Sequence, residues 1–354
     1  MTGQWPEYAE AHLGFRNYWY PAMASSSLGK RPQAVKLLGE DVVLVRDNGR
    51  AYALNDRCPH RGVPLSMGRR QFPGTISCAY HGWTYDLKDG NLVAALTDGP
   101  DSPICGKRSV RIAAYPVEER AGLIWVYIGD APAPPIEEDV PEELLKAGTV
   151  PMVMVETRKG NWRYGMENAV DEAHAKYLHR RTPFYFFSKF PVYSTDVRME
   201  VAEDGKWLVR TGKQVFDSQT YGELGSWPGR EWWRVGGGVS TFAARLPAIF
   251  RISHKTWSDY QFFVPVDEHH HLAVMVSAKW PSRLGKAWWK LYYHAYVRPF
   301  HHIMLNRWED DRMVSMMSIP PEKLFRPDIS VTTWRKWSSE TARRTPEAPA
   351  TSKP

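Results

Sequence analysis

Short runs of alternating or continuous apolar residues dominate the first third of the chain. Val42 to Arg46 and Ala51 to Leu54 are two such runs, joined by Asp47-Asn48-Gly49-Arg50. Asn-Gly between apolar runs is the strongest short signal for a β-hairpin. Asp89-Gly90 marks a second hairpin, and Leu123-Ile124-Trp125-Val126-Tyr127-Ile128 is apolar throughout, as a buried strand would be. Phe15 to Pro21 forms an aromatic anchor expected to pack against the strands after it. Residues 1–130 are therefore expected to form a lead-in segment joined to a small, mostly antiparallel β domain.

Ala131-Pro132-Ala133-Pro134-Pro135, followed by Glu137-Glu138-Asp139, breaks the pattern. Prolines cannot donate to a strand ladder, so residues 131–150 read as a Pro- and acid-rich linker. Alternation resumes from Met152 to Thr157. A helical segment is expected over residues 161–180. Strand-like stretches come next at Thr195 to Val201, Trp207 to Val215, Ala248 to His254, Tyr260 to Val266 and His271 to Lys279, and helical patterning returns from Trp288 to Met317. Strands first and a long helix late predict an α+β domain over 151–337, with helices packed on an antiparallel sheet. Residues 338–354 are polar and charged and are expected to form a disordered tail. The chain as a whole is read as α+β, and no internal repeat is visible.

Composition narrows the class. The 354 residues suit two or three domains, and 16 Trp and 17 Tyr supply bulky cores. Three cysteines exclude a disulfide framework and point to a reducing, cytoplasmic compartment. Met1 to Glu7 lacks the basic start and apolar run of a secretory signal, and no stretch has the length of a membrane span. Net charge is +7, but the basic residues form no arm or stripe, so an acidic electron-transfer partner is expected rather than nucleic acid.

The chemistry lies in two places. Cys58-Pro59-His60 and Cys78-Ala79-Tyr80-His81 make the pattern C-x-H-x17-C-x2-H. A zinc finger would open with a pair of cysteines. Here each pair supplies one Cys and one His, which suits a two-iron cluster with two thiolates on one iron and two imidazoles on the other. A structural zinc site is the competing reading. Gly62, Gly68, Gly74 and Gly82 punctuate both loops, which read as tight turns at strand ends.

The second place is Asn168-Ala169-Val170-Asp171-Glu172-Ala173-His174-Ala175-Lys176-Tyr177-Leu178-His179. Asp171 and His174 share a helix face. His174 and His179 stand five apart, about 140° around an ideal helix, so both can meet one metal only if the helix ends or bulges between them. Pro183 stops the helix soon afterwards. Two His and a carboxylate make the facial triad of non-haem Fe(II) oxygenases. The carboxylate must come from elsewhere, and one of Glu309, Asp310 and Asp311 is the natural source. Two helical histidines alone are more often ordinary polar residues; a cluster in the same chain, needing somewhere to send electrons, changes that balance. His269-His270-His271 reads as a solvated turn, and a supporting place behind the metal ligands is the weaker reading for His301-His302.

Together, Arg57-Cys58-Pro59-His60-Arg61-Gly62, Tyr80-His81-Gly82-Trp83-Thr84-Tyr85 and the later histidine motif resemble the α subunit of a Rieske non-haem iron oxygenase, from about residue 15 to about 337. The resemblance implies Cys58, His60, Cys78 and His81 as ligands of a Rieske [2Fe–2S] cluster, and His174, His179 and Asp310 as ligands of a mononuclear Fe(II). It implies that the acid matching Asp171 bridges a cluster His of a neighbouring subunit to an iron His, hence a homotrimer. Asn168 matches a position often near the iron. Dioxygen is the implied co-substrate, an aromatic small molecule the substrate, and a ferredoxin or reductase the electron donor. NAD(P)H would enter only through that reductase, since Gly236-Gly237-Gly238 lacks a dinucleotide fingerprint. Two subfamilies compete. Gln261-Phe262-Phe263-Val264-Pro265-Val266-Asp267-Glu268 is similar to carbazole-type dioxygenases, whereas the four-residue gap between His174 and His179 is similar to demethylating monooxygenases of the dicamba type. The remaining alternative is an electron carrier or zinc-binding module.

Overall fold

The structure is a computed structural model that describes residues 5–179, 182, 192–193, 196–212, 215–216, 241–254, 256–280, 285–317 and 322–344. Pro183, the three glycines Gly236 to Gly238 and residues 345–354 of the expected tail lie outside the described residues. The chain divides into two compact units, one of residues 16–145 and 343–354, the other of residues 1–15 and 146–342. No described helix is long and apolar enough to cross a membrane.

The first unit is antiparallel β, built from three small sheets. Tyr18–Ala24 pairs with Leu123–Ile128, which pairs with Val117–Arg120. Glu40–Asp47 pairs with Gln33–Leu37 and Arg50–Asn55. The Asn-Gly hairpin forms as expected, with Asn48 and Gly49 both at positive φ, as its tight turn demands. Thr75–Ser77, Trp83–Asp86 and Leu92–Ala95 form the third sheet. Val43, Val45, Leu54, Leu65, Ile76, Tyr85 and Leu92 meet in one core with Cys58 and Cys78 at its edge. Each such aliphatic side chain stabilises by about 1.5–3 kcal/mol when buried, so both cysteines hang from a rigid base.

The expected linker is folded. Ile136–Glu138 is a single tight turn and Glu142–Leu145 a short helix. Asp139 is buried, accepts from the Trp19 backbone N–H at 3.0 Å and pairs with Arg343 at 2.7 Å. The prolines preset the turn, and one carboxylate fastens it to the Tyr18–Ala24 strand.

The second unit carries a seven-stranded antiparallel sheet in the order Val150–Lys159, His270–Lys279, Ser258–Pro265, Ile249–Ser253, Thr241–Arg245, Leu208–Thr211, Arg198–Val201. Thr241–Arg245 was not expected: Thr-Phe-Ala-Ala-Arg shows no period of two, because the strand is flanked by partners on both sides. The lead-in segment belongs here rather than with the first unit. Tyr8, in the helix Pro6–Glu10, donates its hydroxyl to Glu167 at 2.7 Å, and the Trp162 indole donates to the Ala11 carbonyl at 2.9 Å. The expected tail also begins late. The helix Ile329–Thr341 runs past residue 338, burying Val331, Trp334 and Trp337 and tying Arg335 to Glu167 and Glu322. Its polar end hides that apolar stripe from a reading of composition.

The long late helix is wound unusually. After Gly285–Tyr292 it widens into π-helical turns over Tyr293–Asp310, where the Asp311 N–H reaches back five residues to the Asn306 carbonyl. Pro299 lies inside this stretch and can donate no backbone bond. Wide turns of this kind concentrate at functional sites.

Candidate functional site

Two sites emerge, one in each unit. In the first, the two Cys-His loops have the same backbone construction. Cys58 N–H donates to the Val63 carbonyl at 3.0 Å and Gly62 N–H to the Cys58 carbonyl at 2.8 Å; Cys78 N–H donates to Trp83 at 2.8 Å and Gly82 N–H to Cys78 at 3.1 Å. Each loop needs a residue at positive φ four places after its cysteine, met by Gly62 (76°) and Gly82 (65°). A Cβ on Gly82 would also press against Leu96 at 2.9 Å.

These turns bury both thiols and leave the imidazoles outward. Cys58 and Cys78 are 2% and 5% exposed. His60 and His81 approach with ring centroids 4.7 Å apart, His60 stacked on Trp83 at 4.8 Å. Nδ1 of His81 is buried without a hydrogen-bond partner. Burial pushes the Cys78 thiol up, while the backbone N–H groups of Tyr80 and His81 favour charge on its sulfur. The Tyr85 hydroxyl lies 3.4 Å from Cys58 Sγ. Two thiols that form no disulfide, two convergent imidazoles and N–H donors around the sulfurs fit a [2Fe–2S] cluster held on one side by His.

In the second unit, Asn161 caps the helix Trp162–Val170 by accepting from Arg163 N–H. That helix does not run on to residue 180. It stops at Asp171, whose backbone turns extended and whose side chain caps a second helix, Glu172–Leu178, by accepting from Ala173 N–H at 2.8 Å. Asp is among the favoured N-cap residues, and the adjoining Glu172 suits a first helical turn. That pair was the overlooked signal for the break. The second helix ends at Leu178, leaving His179 as its cap with φ −85° and ψ 6°. This ending lets His174 and His179 face one point despite their five-residue separation.

That point is Asp310, at the end of the wide helix. Nε2 of His174 lies 3.5 Å and Nε2 of His179 lies 3.2 Å from the same Asp310 oxygen, Oδ1. One donor atom from each of the three lies within 4.8 Å of the others. Asp310 Oδ1 is buried with no hydrogen-bond partner. Burial pushes the Asp310 carboxyl up, but His174 and His179 outweigh it and hold it well below the usual range. Burial pushes the His174 imidazole down, and Asp171 and Asp310 on either side reverse this, raising it to about 10. Two imidazole nitrogens and an orphaned carboxylate oxygen, converging where positive charge is favoured, fit a divalent iron with open positions.

The three adjacent acids have separate surroundings. Asp310 meets both histidines. Glu309 instead lies 2.7 Å from His179 Nδ1, behind the ring. Asp311 faces away and pairs with Arg158 at 3.0 Å. Asn306, four residues before Asp310, donates Nδ2–H to Asp310 Oδ2 at 3.3 Å; sequence reasoning missed it, though their spacing along one helix was a usable signal. Asp171 Oδ2 stands 3.4 Å from His174 Nδ1. Asn168 is buried on the preceding helix. The histidine run is only partly solvated: His269 is exposed, but the strand starts at His270 and turns His271 inward, to 1% exposure. His301 and His302 join Asp259 instead of the first group.

Both parts of the chain match known protein families. Residues 18–110 match the Rieske [2Fe-2S] domain family and residues 127–345 the homotrimeric ring hydroxylase family. The carbazole 1,9a-dioxygenase terminal oxygenase component of a Sphingomonas species is 34% identical over 98% of this chain and 97% of its own length. The terminal oxygenase of carbazole 1,9a-dioxygenase from Nocardioides aromaticivorans IC177 superimposes with a TM-score of 0.84 at 29% identity, covering 97% of this chain and 98% of its own. The oxygenase in a reduced oxygenase–ferredoxin complex of carbazole 1,9a-dioxygenase superimposes with a TM-score of 0.80 at 26% identity, covering 97% of this chain and 93% of its own. The chain therefore belongs to the Rieske non-haem iron oxygenases, as a terminal oxygenase α subunit of the ring-hydroxylating kind, whose cofactors are a [2Fe–2S] cluster and a mononuclear iron.

Proposed function

We propose that the protein is the terminal oxygenase of a multicomponent cytoplasmic system that dihydroxylates a fused, nitrogen-containing aromatic substrate of the carbazole class. The convergence of His174 Nε2 and His179 Nε2 on Asp310 Oδ1 supports an oxygen-activating iron, and the likeness over 98% of the chain to a carbazole 1,9a-dioxygenase oxygenase component supports the substrate class. In this reading Cys58, Cys78, His60 and His81 hold the cluster, and His174, His179 and Asp310 hold the iron. The cluster supplies single electrons and the iron supplies the activation of dioxygen.

The chain's own side chains set the stage for that chemistry. Glu309 accepts from His179 Nδ1–H and so fixes the tautomer whose Nε2 can act as a donor to metal. At His174 the neighbour of Nδ1 is Asp171 Oδ2, at 3.4 Å, which places a negative charge beside that ring. Asn306 holds Asp310 Oδ2 and leaves Oδ1 facing the two rings. A ferredoxin is the proposed donor, supported by the ferredoxin complex of the similar oxygenase. Assembly as a homotrimer, supported by the family matched over residues 127–345, would set Asp171 of one subunit against a cluster histidine of the next.

A second reading, demethylation by monooxygenation, rests on the His174-x4-His179 spacing. Turnover with a surrogate ferredoxin and reductase on paired plain and methylated aromatics separates the two. A cis-dihydrodiol or its ring-opened product supports dioxygenation, and formaldehyde release supports demethylation.

A further inference from the structure

Beyond the iron triad, the second unit contains another group with the same donor chemistry. Asp259 lies on the strand Ser258–Pro265, and His301 and His302 lie on the wide helix that ends in Asp310. Asp259 and His302 are 0% exposed and His301 5%. His302 Nε2 is 2.9 Å from Asp259 Oδ1, and His301 Nδ1 is 3.7 Å from Asp259 Oδ2. The corresponding separations in the triad are 3.2 and 3.5 Å. One donor atom from each residue lies within 4.8 Å of the others, again as in the triad.

Consecutive residues on an ordinary α-helix point too far apart to serve one ligand. Wider turns bring successive side chains closer in direction, and here the two rings stand 5.4 Å apart and face the same carboxylate.

The outer contacts resemble those around a bound metal. Ser277, on the neighbouring strand, donates its hydroxyl to Asp259 Oδ1 at 2.6 Å and lies 3.2 Å from His302 Nε2. The Tyr293 hydroxyl is 3.4 Å from His302 Nδ1, placed to accept from that nitrogen and leave Nε2 as a donor to metal. Gln261 Nε2 donates to Asp259 Oδ2 at 3.4 Å.

Charge points the same way. Burial pushes the Asp259 carboxyl up, yet His302 and His301, with help from Ser277, hold it well below its usual range. Burial pushes the His301 imidazole down to about 4, against the pull of Asp259.

We propose that Asp259, His301 and His302 form a second mononuclear site for a divalent transition ion such as Zn(II), Co(II) or Fe(II), separate from the triad and fixed to the same helix. Two imidazoles and a carboxylate suit these ions. All three residues are closed off from solvent, so the part of the site is to pin the wide helix that presents Asp310.

The test counts metal rather than turnover. Full-length chain with its cluster intact is stripped of mononuclear iron under anaerobic conditions and titrated with Co(II). Two tightly bound Co(II) per chain are expected, with visible absorption of imidazole-ligated cobalt. His174→Ala with His179→Ala should lower the count to one. His301→Gln with His302→Gln should also lower it to one while leaving the triad's ion bound. A single Co(II) lost entirely with His174→Ala and His179→Ala overturns the proposal, as does a second ion that survives His301→Gln and His302→Gln. Should that last pair fail to fold, the chain lacking only the triad histidines decides: one Co(II) sustains the second site and none refutes it. Loss of the triad's own ion in the native chain would be a separate result, against the iron ligands named above.

Discussion

Asp171 stands 3.4 Å from Nδ1 of His174, on the edge of the ring opposite the one that meets Asp310. The same carboxylate caps the helix that carries His174. One residue therefore sets both where the ring lies and how it is charged. Asp171→Asn keeps a capping oxygen but removes the negative charge. It should retain cluster and iron, measured by metal and sulfide analysis, while coupled turnover falls by roughly 100-fold. Asp171→Ala should add a loss of helix stability of about 1 kcal/mol. Unchanged turnover in Asp171→Asn would remove Asp171 from the electron path.

Glu309→Gln tests the support of the other histidine. The contact to His179 Nδ1 is 2.7 Å, short enough to fix the ring. Iron affinity should fall roughly 10–100-fold, read as iron retained after graded chelation, with the cluster spectrum unaltered. Asp311→Asn, whose partner is Arg158, should leave the retained iron as it was, so the two acids are told apart.

Tyr85→Phe tests the cluster. Its hydroxyl lies 3.4 Å from Cys58 Sγ, and a hydrogen bond to a ligand sulfur favours the reduced, more negative cluster. Removing it should lower the reduction potential by tens of millivolts, since such a bond contributes on the order of 1 kcal/mol. Protein-film voltammetry would read the shift directly; an unmoved potential would discard the contact.

His271 gives a pH prediction at a residue outside the candidate metal-binding groups. It is 1% exposed and its Nδ1–H donates to the Gly160 carbonyl at 2.9 Å. Burial pushes this imidazole down to about 4. In the unfolded chain it titrates near its ordinary value of about 6.5. Between these values the unfolded state takes up a proton that the folded state refuses, so the contribution of His271 is full above pH of about 6.5 and is lost progressively toward about 4. The loss should reach on the order of 1–3 kcal/mol. Thermal melting of wild type and His271→Gln across this range should show the wild type losing more; parallel curves would contradict it.

The two candidate metal-binding motifs were legible because most of their residues lie close in sequence: a cysteine, a histidine close by and a glycine four residues on for the cluster, and the Asp171 to His179 run for the iron. Asp310 could be only one of three neighbouring acids. Its choice depends on how the wide helix is wound, a property of the packed chain rather than of Trp308-Glu309-Asp310-Asp311. The division of labour between Glu309 and Asp311 was hidden for the same reason. The strand Thr241–Arg245 and the helix Ile329–Thr341 escaped because their partners, not their own periodicity, define them. Asp259 was invisible beside His301-His302, because Asp259 lies 42 residues before His301 and meets the pair only in the folded unit.

The central claim is most directly tested by turnover of carbazole under isotopically labelled dioxygen, with a surrogate ferredoxin and reductase supplying electrons. Two labelled oxygen atoms in a single ring-opened product are predicted. A product with one labelled atom, or formaldehyde from a methylated aromatic in place of carbazole turnover, would contradict the dioxygenase reading and favour the demethylating monooxygenases.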